Sequence, residues 1–219
     1  MNARDLLPAF ADLVHDSQAT FRVLLAALSA PGTVHEFPVA VMGPDPLCTA
    51  ATAALLTLAD METPVWLDVI NHVADEVANN IAARRVTHYL SFHCGCPITD
   101  VPAVAAFALI THPEQLSLVG FAQGSMAYPD RSTMLLVQVA SLSDGPQRTL
   151  SGPGIRTRQA LRIAGLPADF DEQWRVNGAS FPTGVDLVFC CGNRIVALPR
   201  TTRIDTLNST AENNPCTSP

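Results

Sequence analysis

The chain has 219 residues and a net charge of −7, with 48% hydrophobic and only 15% charged residues. A chain of this length buries roughly 70% of its unfolded surface, so the composition is that of a folded protein with a real core and excludes a disordered one. All 13 basic residues are arginine. Without a lysine there is no Schiff-base chemistry, no pyridoxal-phosphate aldimine and no Walker A phosphate loop. The acidic balance argues against a nucleic-acid or anionic-membrane surface.

Arg4, Asp5 and Asp12 interrupt the apolar residues of the N-terminus, which excludes the core of a signal peptide. The longest apolar stretch, Leu47 to Leu58, falls well short of the ~20 residues that span a bilayer. The protein is therefore expected to be soluble and cytoplasmic, with its six cysteines as free thiols.

The spacing of Phe21, Leu24, Leu25 and Leu28 predicts an amphipathic helix over 16–29, capped by Asp16 or Ser17 and stopped at Pro31-Gly32. Thr49 to Leu58 is apolar all round, as in a helix buried on every side. Pro64 to Val69 reads as a strand, Asn71 to Arg85 as a helix, and Val86 to Phe92 as a second strand. Asp100 to Ile110 is expected to be helical, Thr133 to Ala140 a strand, and Pro167 to Asn177 a helix with Gly178 beyond its end. Val185 to Cys191 and Arg194 to Leu198 flank Gly192-Asn193, the pattern of a tight hairpin. Residues 1–203 thus form one α/β domain with a mixed, mainly parallel sheet flanked by helices. Residues 204–219, rich in Thr, Ser, Asn and Pro, are expected to be a disordered tail.

His88, His93, Cys94 and Cys96 form the first cluster with chemistry. If 86–92 is a strand, His93 points away from the other three, and C-x-C lacks the usual zinc spacing. We read them as small buried thiols rather than a metal centre. Ser151-Gly152-Pro153-Gly154, followed by Arg156 and Arg158, is the second. Two glycines bring backbone N–H groups forward, a helix could start just after them, and guanidinium groups bind oxyanions in bidentate fashion. Arg200 adds a third such group. These residues form either a structural turn or an anion contact, and the candidates for the latter are Ser151, Gly152, Gly154, Arg156, Arg158 and Arg200. Asp186 interrupts an apolar strand and needs a partner if buried. No catalytic nucleophile–base pair is evident.

A series of segments goes further. His15-Asp16-Ser17-Gln18-Ala19-Thr20-Phe21-Arg22, Pro31-Gly32-Thr33-Val34, Glu62-Thr63-Pro64-Val65-Trp66-Leu67 and Phe92-His93-Cys94-Gly95-Cys96-Pro97 come first. Tyr128-Pro129-Asp130-Arg131-Ser132, Ser151-Gly152-Pro153-Gly154-Ile155, Phe181-Pro182-Thr183-Gly184-Val185-Asp186-Leu187 and Ala197-Leu198-Pro199-Arg200-Thr201-Thr202 follow. In this order and spacing, over about residues 10 to 203, the series resembles the H-subunit family (PhnH) of bacterial carbon–phosphorus lyase systems. The resemblance implies a fold like the large domain of pyridoxal-phosphate-dependent transferases, without the cofactor. It implies a homodimer that joins other subunits in a core complex. That assembly attaches a phosphonate to the ribose of ATP, giving a ribose 1-phosphonate 5-triphosphate. The chain would then be an accessory subunit of a transferase complex, not catalytic alone, without metal, cofactor, nucleic-acid or membrane partner. The alternative is a free-standing enzyme, binding phosphate or phosphonate on a degenerate transferase fold.

Overall fold

The computed structural model describes residues 7–68 and 76–205. In chain order the elements are α1 (Leu13–Ser29), β1 (Val34–Glu36), α2 (Thr49–Leu58), β2 (Val65–Leu67), α3 (Glu76–His93), β3 (Ile98–Thr99), β4 (Phe107–Ile110) and β5 (Met134–Gln138). They continue with β6 (Gln147–Ser151), β7 (Gln159–Arg162), α4 (Phe170–Ala179), β8 (Asp186–Cys191), β9 (Arg194–Leu198) and β10 (Arg203–Asp205).

Seven strands form one sheet in the order β1-β9-β8-β5-β4-β2-β3. The run from β3 to β8 is parallel, and β9 and β1 add antiparallel neighbours beyond it. Because side chains alternate across a strand, the central strands feed two cores at once. Leu109, Leu136, Val188, Ile195 and Ala197 meet α1, α2 and α3 on one face. Ala108, Ile110, Leu135, Val137, Leu187, Phe189, Val196 and Leu198 face the other way, toward α4. The small antiparallel sheet β10-β6-β7 packs on that second core through Leu150 and Leu161. The mixed, mainly parallel α/β architecture is the one the sequence predicts.

The local expectations fare unevenly. α2 is buried from Ala50 through Leu55, as its apolar circumference predicts, and its small side chains let it sit close to the sheet. α1 starts earlier than predicted: Asp12, not Asp16 or Ser17, is the cap and accepts from the N–H groups of Val14 and His15. The predicted start of the next helix at Asn71 lies outside the described residues. Its end does not: Val86 to Phe92 is no strand but the continuation of α3, with Val86, Tyr89 and Leu90 buried at helical spacing. Asp100 to Ile110 is not a helix. Pro102 leads a 3₁₀ turn, and Phe107–Ile110 is strand β4, held between β2 and β5. α4 begins at Phe170 and ends at Ala179, so Gly178 falls inside it. The hairpin β8–β9 forms as predicted. No helix starts after the glycine loop; the chain enters β7 instead. Residues 204 and 205, expected in a tail, belong to β10 and pair with Leu150 and Thr149.

Candidate functional site

The six residues expected to meet an anion fall into separate environments. Ser151 Oγ donates to Asp205 Oδ1 at 2.8 Å, and Arg158 Nη1 donates to Asp205 Oδ2 at 2.9 Å, so both already serve one carboxylate. The two glycines allow chain segments to touch. A Cβ on Gly152 (φ +132°) would lie 2.9 Å from the Thr201 carbonyl oxygen, and one on Gly154 (φ +80°) 2.3 Å from that of Ser29. Arg156 is exposed.

Arg200 is the surprise. Its side chain is only 11% exposed, and all its N–H groups have protein acceptors. Nε donates to both oxygens of Asp186 at 3.2 Å; Nη1 donates to the carbonyls of Pro129 (3.1 Å) and Pro182 (3.2 Å); Nη2 donates to Ser132 Oγ and Asp186 Oδ2. The Arg200 backbone N–H adds a 2.7 Å bond to Asp186 Oδ1. An anion would have to displace Asp186 to reach this guanidinium, so Arg200 is corrected from a ligand contact to a clamp. It joins the 128–132 loop and the 181–187 segment to its own segment, 197–202, three of the segments that carry the family resemblance. It is also the partner that Asp186 requires.

A cleft of about 740 Å³ opens between α4 and β10. Among the six candidates only Arg200 lines it, beside Arg175, Arg203, Trp174, Phe181 and Asp205. Arg175 is held by Glu172 at 2.6 Å, and Trp174 Nε1 donates to the Thr202 carbonyl at 2.9 Å. The positive charge there is thus largely matched by nearby carboxylates.

The histidine–cysteine cluster needs a different account from the strand-based one, since His93 ends α3. His93 Nε2 lies 3.0 Å from the Leu7 carbonyl oxygen. The Cys94 thiol is pushed well up, first by its hydrogen bond with Cys96 and then by burial. Among the described residues, no three His, Cys, Asp or Glu side chains are grouped to hold a metal ion.

Sequence reasoning missed a second charged node, at the opposite ends of the parallel strands. Asp68, just past β2, is 6% exposed. Its carboxylate accepts from Thr111 N (2.5 Å), Thr111 Oγ1 (2.7 Å) and His112 N (2.9 Å), and lies 3.3 Å from His112 Nδ1. Thr111 Oγ1 gives its hydrogen to Asp68, so in the 3.1 Å contact with His112 Nδ1 the ring nitrogen must be the donor. The network therefore places a proton on His112 Nδ1. The available signal was an acid ending the predicted strand 64–69; its partners, 43 and 44 residues away, left none.

Fold and nodes together define an open, mixed α/β-sheet protein whose buried charges are matched internally, with no helix among the described residues long and apolar enough to cross a membrane. The chain belongs to the bacterial phosphonate metabolism protein family, PhnH, whose family model matches residues 8–205. It is similar to the alpha-D-ribose 1-methylphosphonate 5-triphosphate synthase subunit PhnH of Rhizobium meliloti (strain 1021), with 35% identity over 198 residues that cover 90% of this chain and 94% of that one. It is also similar to the HtxG protein of Stutzerimonas stutzeri, with 27% identity over 192 residues, covering 86% and 85% of the two chains.

Proposed function

We propose that this chain is a non-catalytic subunit of a carbon–phosphorus lyase core complex. In that role it supports formation of a ribose 1-phosphonate 5-triphosphate from ATP and an alkylphosphonate. The observation that carries this reading is the 35% identity, over nearly the full length of both chains, to a protein named as a subunit of such a synthase. The filled hydrogen bonds of these two nodes agree with it, because Arg200, Asp186 and Asp68 hold loops and strand ends together. The same reading makes the protein a cytoplasmic homodimer on a cofactor-free version of the large domain of pyridoxal-phosphate-dependent transferases. The lack of lysine supports that last point, since no side chain can form the cofactor's aldimine. With Arg200 engaged internally, contact with an anion or with an acidic patch on another subunit falls to the loop 151–158, where Arg156 and Arg158 are exposed.

Affinity capture of this chain co-expressed with the other subunits of its own pathway tests the reading. Stoichiometric recovery of those subunits, with loss of growth on methylphosphonate when the gene is deleted, is the expected result. Recovery of the chain alone, together with undiminished growth of the deletion strain, would overturn it.

A further inference from the structure

The link between α3 and β3 carries two thiols two residues apart, Cys94 and Cys96, and the chain around them is pinned at both ends. Cys94 N donates to the Leu90 carbonyl at 2.8 Å, which closes the last turn of α3. The Pro97 carbonyl accepts from Val65 N at 2.8 Å, at the start of β2. Between these anchors Gly95 turns the chain with φ +68°, a left-handed conformation that glycine adopts without strain. Two Cα–Cα steps of about 3.8 Å, folded by such a turn, bring their ends within the roughly 4.4–6.8 Å that a disulfide spans. The side chains do meet, because the Cys94 thiol hydrogen-bonds with Cys96.

The two sulfurs differ in a way that suits redox chemistry, in which the thiolate is the reactive form. The hydrogen bond from Cys94 lowers the Cys96 thiol from its ordinary value of 9.0, against burial and the nearby Asp60 carboxylate. The same bond, with burial, pushes Cys94 well up. One sulfur is thus the nucleophile and its neighbour keeps a proton, the arrangement of a sensing cysteine beside a resolving one. Cys96 is 2% exposed and Cys94 half-buried. The side chain over the turn is Met61, which is 77% exposed; a Cβ at Gly95 would lie 3.2 Å from its Cγ. A flexible thioether is the easiest cover to displace, and a small oxidant needs little room. We propose that Cys94 and Cys96 form a site of reversible oxidation, closed to an intramolecular disulfide by a hydroperoxide such as hydrogen peroxide. The Cys96 thiolate attacks a peroxide oxygen, the O–O bond breaks, and the leaving hydroxide takes up a proton to become water. The Cys94 thiol then attacks the sulfenic acid on Cys96: the S–S bond forms, the S–O bond breaks, and hydroxide leaves with the thiol proton as a second water. Two thiols and one peroxide become one disulfide and two waters; the sulfurs give up two electrons and the peroxide accepts them. A dithiol reductant reverses the change. The proposal does not rest on the assembly role, and loss of partner capture would leave it standing.

Hydrogen peroxide is the probe, added to the full-length protein, after which remaining thiols are alkylated in denaturant and the chain is cut after arginine. Cys94 and Cys96 fall together, with no other cysteine, in the peptide 86–131. The expected result is that this peptide loses both alkylation sites and the mass of two hydrogen atoms. It does so at least about tenfold faster than Cys48 or Cys190, whose thiols burial pushes up, are oxidised. Dithiothreitol restores both alkylation sites. Cys94→Ser removes the resolving thiol, so Cys96 is recovered as a sulfenic acid captured by dimedone. If that variant does not fold, the peptide map of the parent protein decides alone. Retention of both alkylation sites, oxidation of Cys48 or Cys190 at an equal rate, a bridge from either sulfur to a different cysteine, or a product that dithiothreitol does not reduce would overturn the proposal.

Discussion

The two ends of the parallel strands are built from mirror-image electrostatics. At the amino ends of β5 and β8 a cation, Arg200, sits among oxygen acceptors drawn from two separate segments, 128–132 and 181–187. At the carboxyl ends of β2 and β4 an anion, Asp68, sits among donors from one dipeptide, Thr111-His112. Both charges are nearly out of water, and both are stable only because their hydrogen-bonding capacity is filled. The difference lies in what is left over. The arginine node consumes every N–H it has and only holds loops together. The aspartate node fixes one nitrogen of a partly exposed histidine ring beside an open crevice. The first charge locks segments of the chain to one another, whereas the second also fixes the orientation of a partly exposed ring.

The largest expected effect breaks the amino-end node. Arg200→Met leaves Asp186 largely buried and stripped of its guanidinium, and breaking a buried pair in this way costs about 3–5 kcal/mol. Urea denaturation should show this as a lower midpoint, and proteolysis should cut first within 123–133 or 180–185. Adding Asp186→Leu should recover a good part of the loss, because both charges are then gone. A single variant as stable as the parent would show that the clamp contributes little.

Asp68→Asn tests the other end, and the expected loss is smaller, about 1–3 kcal/mol. The amide oxygen can still accept from the Thr111 and His112 N–H groups, but the amide nitrogen must then face a donor, the Thr111 hydroxyl. NMR should report exchange of the His112 ring between tautomers in the variant and one tautomer in the parent. A variant that keeps the single Nδ1–H form would mean that Thr111 Oγ1, not Asp68, orients the ring.

These nodes mark the limit of what the sequence discloses. Periodicity made α1, α2, β5 and the β8–β9 hairpin legible, because in each the apolar spacing and the turn chemistry agree. It misled where they conflict. Val86 to Phe92 carries β-branched and aromatic residues, yet Val86, Tyr89 and Leu90 are placed to extend α3 into the core. The alanine-rich stretch before Ile110 favours helix locally, but pairing on both sides between β2 and β5 makes it a strand. At the site, the sequence identified Asp186 as a charge in need of a partner and Arg200 as a cation worth watching. It could not join them, because the contact depends on how β8 and the 199–202 turn meet in space. Gly152 and Gly154 were legible as turn formers, while the close approach of Thr201 and Ser29 that requires them was not.

An exposed arginine sharpens the contrast with Arg200. Arg158 is paired with Asp205, but its side chain is 68% exposed. Arg158→Ala should therefore change stability by no more than about 1 kcal/mol, and the change should shrink as salt is added. A loss as large as that of Arg200→Met would mean that the β10–β6 pairing depends on this ion pair.

The smallest effect comes from a near copy of the Asp68 node on the surface. Asp12, the cap of α1, accepts from Val14 N (3.1 Å), His15 N (3.0 Å) and His15 Nδ1 (2.8 Å), much as Asp68 accepts from the backbone and ring of Thr111-His112. Here, however, the donors are local and the carboxylate is exposed to water. The backbone N–H of His15, and then its ring, hold the Asp12 carboxyl below its ordinary value of 3.8. A folded pKa below the unfolded one stabilises the fold above the unfolded value and ceases to do so as pH falls through the folded value. Acidification below about pH 4 should therefore loosen the first turn of α1, seen as faster exchange of the Val14 and His15 amides. Asp12→Asn should abolish that acid step, because an amide keeps an acceptor oxygen without a proton to gain. If the step persists in the variant, another acid near the helix start controls it, and the resemblance between the two nodes is one of geometry alone.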